Sequence, residues 1–451
     1  MFDIFRAREI ICMAFVILTL AAPLTSCSRS SGSGAAATPQ DNGAFLIASD
    51  SNATGYTRFS MNSGGHALLV WRHWESGPES LRGVYYDPDA GWSDQAVINP
   101  SHSIANEVAI DENNDCFAVW EDGHAVGTNR YDAASNWGSV SSIPTGSTGY
   151  VSQPVIAAGP QGTAFAIWME YQYSSMADTL WVSSYETGTG WTTTQPIQDI
   201  PNIGFGSYTI AVDGSGNALA VWSQYVLYSD LYTLLSRRYE TGVGWGPVET
   251  LMSDDYPYPP RVAFDAAGNA LVVWGDIYNS SRRIVSRSYS VSSGWGPLDT
   301  IIEVPVDTDI IYEVNLAMNP GGNAVLVWMR PTNAVGFDIW ADRYVAGSGW
   351  TKSPVRISDG ITDSQYPAAA IDPAGNAVVV WRGDYATRMN IGATRYSADT
   401  GWSAPKIIST DRDNAWADNA SVAIDAKGNA LAVWQETEQN GLSFWGNRFD
   451  K

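Results

Sequence analysis

The sequence is poor in basic residues, in long apolar runs and in known catalytic motifs. Its 25 Lys and Arg residues stand against 47 Asp and Glu residues, which gives a net charge of −22. This charge repels phosphate backbones and anionic membrane surfaces, so we expect no nucleic-acid partner. No apolar run reaches the roughly 20 residues that a membrane-spanning helix needs. GxSxG, P-loop and HExxH patterns are absent, and no helical periodicity follows the N-terminal segment.

The N-terminus contains targeting signals. Arg6 and Arg8 precede the short apolar run ICMAFVILTL, and LTSC follows at residues 24–27. This order is typical of a cleaved signal peptide, which we place at residues 1–26. The small and polar residues of 27–43 predict a flexible tether, and the repeats begin after it, so we place one domain at residues 44–451.

LTSC resembles the lipobox of bacterial lipoproteins. The resemblance implies that Cys27 is acylated and that Ser28 directs the protein to the outer membrane. The expected location is the bacterial cell envelope, with the domain either periplasmic or surface-facing and with the membrane as a partner through the N-terminal lipid. An ordinary secretory signal with a chance cysteine is the alternative.

Cysteine is scarce, with three residues in 451. Cys12 lies in the predicted signal peptide and Cys27 is the predicted lipid site, so only Cys116 remains for the folded domain. No intrachain disulfide is then possible. Cys116 stands where other repeats have alanine, which predicts a small buried residue.

One short motif recurs eight times and ends in a tryptophan, as in AIDPAGNAVVVW. The eight tryptophans are 48 to 54 residues apart: Trp71, Trp120, Trp168, Trp222, Trp274, Trp328, Trp381 and Trp434. A period near fifty residues indicates a repeat architecture. Apolar, β-branched segments flank a turn of Asp, Gly and Asn, which predicts a β-hairpin. A second predicted hairpin follows, with six residues from Tyr to Trp in all seven complete repeats.

Four antiparallel strands per repeat, arranged radially, predict an all-β fold, a β-propeller of eight four-stranded blades. The eighth repeat stops at GNRFDK, where its fourth strand is due, and AFLIASD at residues 44–50 matches the missing strand. We therefore expect the N-terminal strand to complete the last blade and close the ring. A closed ring leaves no open edge, and we expect a monomer.

The D-x-x-G-N-A hairpin resembles that of NHL-type propeller repeats, and more distantly the Asp-box of sialidase-like propellers, S-x-D-x-G-x-x-W. The match covers about a quarter of each repeat and departs from the NHL pattern where Trp381 and its equivalents replace a polar residue. The resemblance implies a propeller fold and carries over no catalytic residue.

The two faces of the predicted propeller differ in sequence variation. The D-x-x-G-N turns and the Tyr-to-Trp turns hardly vary and share one face, here called the constant face. The loops from second to third strands and the connections between blades vary in length and share the opposite, variable face. Specificity is therefore expected on the variable face.

Aromatic and acidic residues follow the repeat tryptophans onto the variable face. Flat rings beside carboxylates suit sugars, which offer an apolar C–H face and a rim of hydroxyl donors. The candidate ligand-binding residues are Trp74, Asp122, Glu170, Tyr171, Tyr225, Asp276, Tyr278, Asp384, Tyr385, Trp416 and Glu436. By contrast, we expect the arginines before the repeat aromatic to form a solvated stripe: Arg130, Arg238, Arg343, Arg395 and Arg448.

Three of the four histidines fall on variable-face loops: His73, His102 and His124. With Glu75 or Asp122 they form a speculative zinc site, because imidazole and carboxylate are usual zinc ligands. The spacing matches no zinc motif, and separate solvated histidines are the alternative. No cofactor is expected.

The sequence leaves three functions open. The first is a surface-anchored, non-catalytic propeller that binds a glycan or an envelope or extracellular protein. The second is a polysaccharide hydrolase or lyase that uses paired loop carboxylates such as Asp122 or Glu170 against Asp276 or Asp384. The third is a purely structural envelope lipoprotein.

Overall fold

The computed structural model describes residues 43–450, apart from 102–103, 134, 146–148, 173–176, 199–202, 227–231, 254–256, 306–311, 333–335, 386–387, 411–414 and 439–440. The signal peptide, almost all of the tether, Cys27 and His102 lie outside the described residues. No helix in the described part of the chain is long and apolar enough to cross a membrane.

The strands form eight antiparallel sheets, one for each repeat. The N-terminal strand is β1 (Phe45–Asp50), and the first four blades follow it in chain order. Blade 1 contains β2 (Ala53–Met61), β3 (Ala67–His73), β4 (Ser80–Asp87), β5 (Gly91–Trp92) and β6 (Ala96–Asn99); blade 2 contains β7 (Ile104–Ile110), β8 (Cys116–Asp122), β9 (Ala125–Asp132), β10 (Asn136–Trp137) and β11 (Ser141–Ile143); blade 3 contains β12 (Tyr150–Ala158), β13 (Ala164–Gln172), β14 (Ala177–Glu186), β15 (Gly190–Trp191) and β16 (Gln195–Pro196), with one short 3-10 helix at Pro160–Gly162; blade 4 contains β17 (Ile203–Val212), β18 (Ala218–Val226), β19 (Tyr232–Glu240) and β20 (Gly244–Ser253).

The second half of the ring repeats this order. Blade 5 contains β21 (Arg261–Phe264), β22 (Ala270–Tyr278), β23 (Ser281–Ser290), β24 (Gly294–Trp295) and β25 (Asp299–Pro305); blade 6 contains β26 (Tyr312–Met318), β27 (Ala324–Pro331), β28 (Phe337–Val345), β29 (Gly349–Trp350) and β30 (Val355–Arg356); blade 7 contains β31 (Thr362–Ile371), β32 (Ala377–Tyr385), β33 (Arg388–Ser397), β34 (Gly401–Trp402) and β35 (Lys406–Ile407); blade 8 contains β36 (Trp416–Ile424), β37 (Ala430–Glu438) and β38 (Gly441–Phe449). In six blades the outer strand is split into two short pieces that both pair with the third strand.

The blades are arranged in a ring. The first strand of each blade lies against the first strand of the next, from β2 and β7 round to β36 and β2. These eight innermost strands therefore surround a central channel. The all-β, eight-bladed propeller predicted from the repeat period is confirmed.

The N-terminal strand completes blade 8. In that sheet β1 pairs antiparallel with β38, with Phe45 opposite Gly446 and Asp50 opposite Leu442. The predicted ring closure is confirmed, because a segment from the start of the chain supplies the outer strand that the eighth repeat lacks.

The D-x-x-G-N turn is stabilised by its own side chains. In blade 7, Asp372 Oδ1 accepts the N–H of Asn376 at 2.8 Å, and Asp372 Oδ2 accepts the Asn376 side-chain amide at 2.8 Å. Gly375 takes a φ of +88°, which favours glycine. This local chemistry explains why the motif recurs with so little change.

The core lies between neighbouring blades. All eight repeat tryptophans are fully buried, and each packs into a cluster shared by two blades. Cys116 is also fully buried, as its position in the repeat predicts.

Four of the five arginines predicted to form a solvated stripe instead stack on an aromatic ring of the next blade. The guanidinium-to-centroid distances are 5.8 Å for Arg130 and Tyr185, 5.0 Å for Arg238 and Tyr289, 4.1 Å for Arg343 and Tyr396, and 5.1 Å for Arg448 and Tyr86. That expectation was wrong, because the cation gains a cation–π contact across the blade boundary. The fifth residue, Arg395, donates to the Asp450 carbonyl.

Candidate functional site

Two predicted ligand-binding carboxylates are core residues. Glu436 is 1 % exposed and accepts hydrogen bonds from Trp434 Nε1 at 3.0 Å and from the N–H of Thr410 at 3.1 Å. Glu170 is fully buried and accepts from Trp168 Nε1 at 3.3 Å. Their placement on a binding surface was wrong. A residue two positions after a buried tryptophan points to the same side of the strand, and this alternation was the available signal.

Asp276, a third predicted ligand-binding carboxylate, is also a core residue, so its placement on a binding surface was wrong. Its carboxylate is fully buried and holds Arg283 through Nε at 2.8 Å and Nη2 at 2.6 Å. Burial raises the pKa of Asp276, and the Arg283 guanidinium opposes that shift. The two charges neutralise each other inside blade 5, and Arg283 engages both carboxylate oxygens. Tyr278 stays exposed, and the centre of its ring lies 4.1 Å from the Arg283 guanidinium.

The remaining predicted residues lie at or near the surface. Trp74 and Trp416 are 54 % and 58 % exposed, and Asp122 is exposed. Tyr171, Tyr225 and Asp384 are half-buried. Tyr385 belongs to β32, and its side chain is not among those that the structure describes. Burial raises the pKa of Asp384, the nearby Asp363 raises it further, and Arg382 lowers it.

The two described histidines of the speculative zinc site, His73 and His124, have other partners, and its third histidine, His102, lies outside the described residues. His73 is buried, and its Nδ1 contacts the Asp50 carboxylate at 2.8 Å. His124 Nδ1 lies 3.0 Å from the Gly149 carbonyl, and its ring packs on Tyr150. Among the described residues, no group of three or more His, Cys, Asp or Glu side chains is placed to hold a metal ion.

The innermost strand of seven blades contains a β-bulge, which no pattern in the sequence indicates. At the bulge, non-glycine residues take a positive φ and expose their side chains; we call these five residues the bulge ring: Tyr56, Gln153, Glu313, Tyr366 and Asn419. A positive φ in such residues costs roughly 1–2 kcal/mol. Strain of this kind tends to collect at functional sites. The bulge ring lies at the variable-face mouth of the channel.

The preceding blade holds the bulge in place. Glu121 Oε1 accepts the N–H of Gln153 at 2.6 Å, and the sulfur of Met329 lies 3.3 Å from the N–H of Tyr366. The backbone groups that the bulge releases from strand pairing therefore keep partners in the neighbouring blade. The exposed side chains are left available for contacts above the channel.

An arginine guanidinium packs against the ring of each of the two bulge-ring tyrosines. The Arg72 guanidinium lies 3.4 Å from the centre of the Tyr56 ring, and that of Arg382 lies 5.1 Å from the centre of Tyr366. Arg72 is itself fixed by Glu79 at 2.8 Å. Both tyrosine rings are 51 % exposed, so one ring face is held by the protein and the other meets solvent.

In the described part of the chain, all of the exposed tyrosine and tryptophan side chains lie on the variable face. These six residues are Tyr56, Trp74, Tyr150, Tyr278, Tyr366 and Trp416. They come from five blades. A set of exposed rings restricted to one face of a closed ring indicates a binding surface.

Charged side chains line the channel below the bulge ring. Arg58 Nε contacts Glu107 Oε2 at 3.1 Å, and the two side chains are 40 % and 32 % exposed although they stand on innermost strands. Burial raises the pKa of Glu107, and Arg58 lowers it. Arg261 of blade 5 interacts electrostatically with Glu107 of blade 2, so these charges face each other across the channel.

Clefts also open between neighbouring blades, on the side of the repeated turns. They measure about 440 Å³ between blades 2 and 3, 280 Å³ between blades 3 and 4, and 390 Å³ between blades 5 and 6. Each is lined by the repeat tyrosine of at least one blade, such as Tyr185 or Tyr239. Because they recur at equivalent positions, these clefts follow from the scaffold.

Solved propellers resemble this fold. An ulvan lyase, described as a polysaccharide lyase and bound to a carbohydrate, is 9 % identical, with a TM-score of 0.51 over 88 % of this chain and 94 % of that one. A second structure of an ulvan lyase is 10 % identical, with a TM-score of 0.50 over 75 % and 90 %. An α-L-arabinanase from Penicillium chrysogenum, complexed with arabinobiose, is 14 % identical, with a TM-score of 0.43 over 65 % and 92 %.

At these identities the similarity shows the fold alone. No protein-family model matches the chain, and no curated protein matches it. The resemblance to NHL-type repeats and to bacterial lipoproteins therefore stays a prediction. The structural neighbours include glycoside hydrolases and polysaccharide lyases with propeller folds.

Proposed function

We propose that this protein is an envelope-anchored propeller that binds a polysaccharide across the mouth of its channel, on the variable face. The observation that carries the proposal is the confinement of the exposed aromatic rings to that face. Each ring offers a flat apolar surface to the C–H face of a sugar. Asp122, Asp418 and Glu313 supply acceptors for sugar hydroxyls nearby. That several propellers of similar fold act on glycans agrees with this assignment.

A glycan array followed by calorimetry tests the proposal. Trp74→Ala and Trp416→Ala are each expected to weaken binding roughly 30-fold, because an aromatic hot spot contributes about 2 kcal/mol. Val243→Ser is the matched control, since Val243 is 79 % exposed on the constant face. Absence of binding to any glycan, or equal losses in all three variants, contradicts the proposal and leaves a structural role or a protein partner.

Anchoring at Cys27 is part of the proposal and rests on the LTSC sequence. Cells fed an alkyne-tagged fatty acid should label the wild-type protein and the Cys12→Ser variant but not Cys27→Ser. Label on Cys27→Ser, or none on the wild type, contradicts the lipid anchor without touching the binding site.

Catalysis on the polysaccharide is the second candidate function, and Glu107 favours it. Its carboxyl group is half-exposed in the channel, its pKa is raised by burial, and two arginines lie near it. By contrast, burial removes Glu170 and Asp276 from the carboxylates that the sequence offered. An enzyme would release reducing or unsaturated ends from a bound polysaccharide, and Glu107→Gln would stop this while binding persisted. Lack of turnover by the wild type would falsify the catalytic candidate alone.

A further inference from the structure

The innermost strands place eight residues at one level of the channel, here called the middle ring. Each is paired with the residue that precedes a repeat tryptophan, as Arg58 is with Val70 and Arg261 with Val273. The eight residues are Arg58, Glu107, Val155, Thr209, Arg261, Asn315, Ala368 and Ser421. Only three of them carry a charge, and two of those three are positive.

In the part of the chain that the structure describes, one of the two arginines of the middle ring has an ion-pair partner and the other does not. Arg58 forms an ion pair with Glu107. Arg261, from the other side of the ring, makes one hydrogen bond, from Nη1 to the Pro260 carbonyl at 3.3 Å. Among the described residues no carboxylate lies within 4.0 Å of its guanidinium, although Glu313 and Glu107 act on it at longer range. Apart from this one bond, its N–H donors have no acceptor among the described residues.

Arg261 lacks an ion pair within the described ranges of a chain that is rich in carboxylates. Acidic residues outnumber basic ones by 47 to 25, so a cation with no ion pair is not explained by a shortage of carboxylates. Burial disfavours the charged form of Arg261 and lowers its pKa. A half-buried guanidinium with no close anionic partner can bind an oxyanion through two parallel N–H donors.

We propose that Arg261 is an anion site in the channel and that the polysaccharide bound above it is acidic, with a sugar carboxylate or sulfate ester paired to this guanidinium. The inference rests on the proposed function and names its substrate class. On β2 and β31 a bulge-ring tyrosine precedes the middle-ring residue by two positions, so a chain lying on Tyr56 and Tyr366 passes over the mouth of the channel. A sugar carboxylate and a sulfate ester present the same paired oxygens, and the experiment separates them.

Calorimetry of the full-length protein with three polymers tests the site: polygalacturonate for carboxylates, dextran sulfate for sulfate esters, and dextran as the neutral reference. The wild type should bind one acidic polymer at least tenfold more tightly than dextran. Arg261→Gln should lose that preference and keep its affinity for dextran. Arg356→Gln is the matched control, since this arginine lies in an outer strand and should leave the preference unchanged.

Equal binding of acidic and neutral polymers by the wild type overturns the inference but leaves the proposed function intact. So does an unchanged preference in Arg261→Gln whose melting temperature equals that of the wild type. If Arg261→Gln fails to fold, Arg261→Lys takes its place, and it should retain charge yet lose most of the preference. Inorganic sulfate that binds as tightly as the polymer also overturns the assignment to a sugar chain. Failure to bind either acidic polymer also overturns this inference, whereas the glycan array decides the proposed function.

Discussion

The buried repeat tryptophans carry indole N–H groups, and most of these groups find an acceptor inside the protein. Five of the eight indole N–H groups donate to an acceptor of varied chemistry. The acceptors are Asp50 Oδ2 at 2.8 Å, Glu170 Oε1 at 3.3 Å, Gln198 Oε1 at 3.1 Å, Met252 Sδ at 3.2 Å and Glu436 Oε1 at 3.0 Å. The tryptophan is constant, and its partner varies from blade to blade. Acidic residues that accept from these tryptophans inside the core, such as Glu170 and Glu436, are therefore structural.

Glu436 offers the sharpest test at this scale. Glu436→Ala should lower the free energy of unfolding by about 3 kcal/mol, because Trp434 and Thr410 lose a charged acceptor inside the core. Urea denaturation measures the change. Glu240→Ala removes an exposed carboxylate in blade 4 and should stay within about 0.5 kcal/mol of the wild type. Equal stability of the two variants would show that Glu436 is not a core residue.

At the scale of the element, β1 determines whether the ring is closed. It supplies the outer strand of blade 8, and Asp50 at its end contacts Trp71 and His73 of blade 1 at 2.8 Å each. The strand therefore joins the last blade to the first by both backbone pairing and side chains. Losing one buried aromatic costs roughly 3–5 kcal/mol, against a typical stability of roughly 5–15 kcal/mol.

A chain that begins at residue 53 should therefore be insoluble or melt far below one that begins at residue 40. The second chain keeps β1 and removes only residues that precede it, which makes it the matched control. Differential scanning calorimetry compares the two. Coincident melting temperatures would mean that β1 contributes nothing to closure.

Lowering the pH should destabilise the junction between blade 8 and blade 1, because Asp50 becomes protonated. Burial raises the pKa of this carboxyl group, but hydrogen bonds from Trp71, the Asn52 N–H and His73 outweigh burial and hold its pKa below the ordinary value of 3.8. A lowered pKa means that the stabilisation is present above the unfolded-state pKa and is lost as pH falls through the folded-state pKa.

Melting temperatures measured from about pH 7 down to about pH 2 test this linkage. The wild type should melt higher than Asp50→Asn above about pH 5, and the gap should close at the acid end. Because His73 contacts the same carboxylate, His73→Gln is measured in parallel. A gap that is constant with pH would contradict the ionised state assigned to Asp50.

At the scale of the whole molecule, the repeats explain why the fold could be predicted from the sequence. Eight copies of the same hairpin signals predict the blade count, and the unfilled place after GNRFDK predicts closure by β1. The bulge ring was not predictable, because Tyr56, Gln153 and Glu313 share no residue type that favours a positive φ. Arg261 was missed as well, since only the closed ring places it opposite Glu107.

If a polysaccharide binds to the variable face of the ring, hydroxyl-radical footprinting with the bound polysaccharide tests this most directly. Oxidation of Trp74, Trp416 and Tyr366 should fall when the polysaccharide is added. Trp402, which follows a constant-face turn of blade 7, should be oxidised to the same extent with and without it. Protection of Trp402 with no protection of Trp74 or Trp416 would contradict the assignment of the variable face as the binding surface.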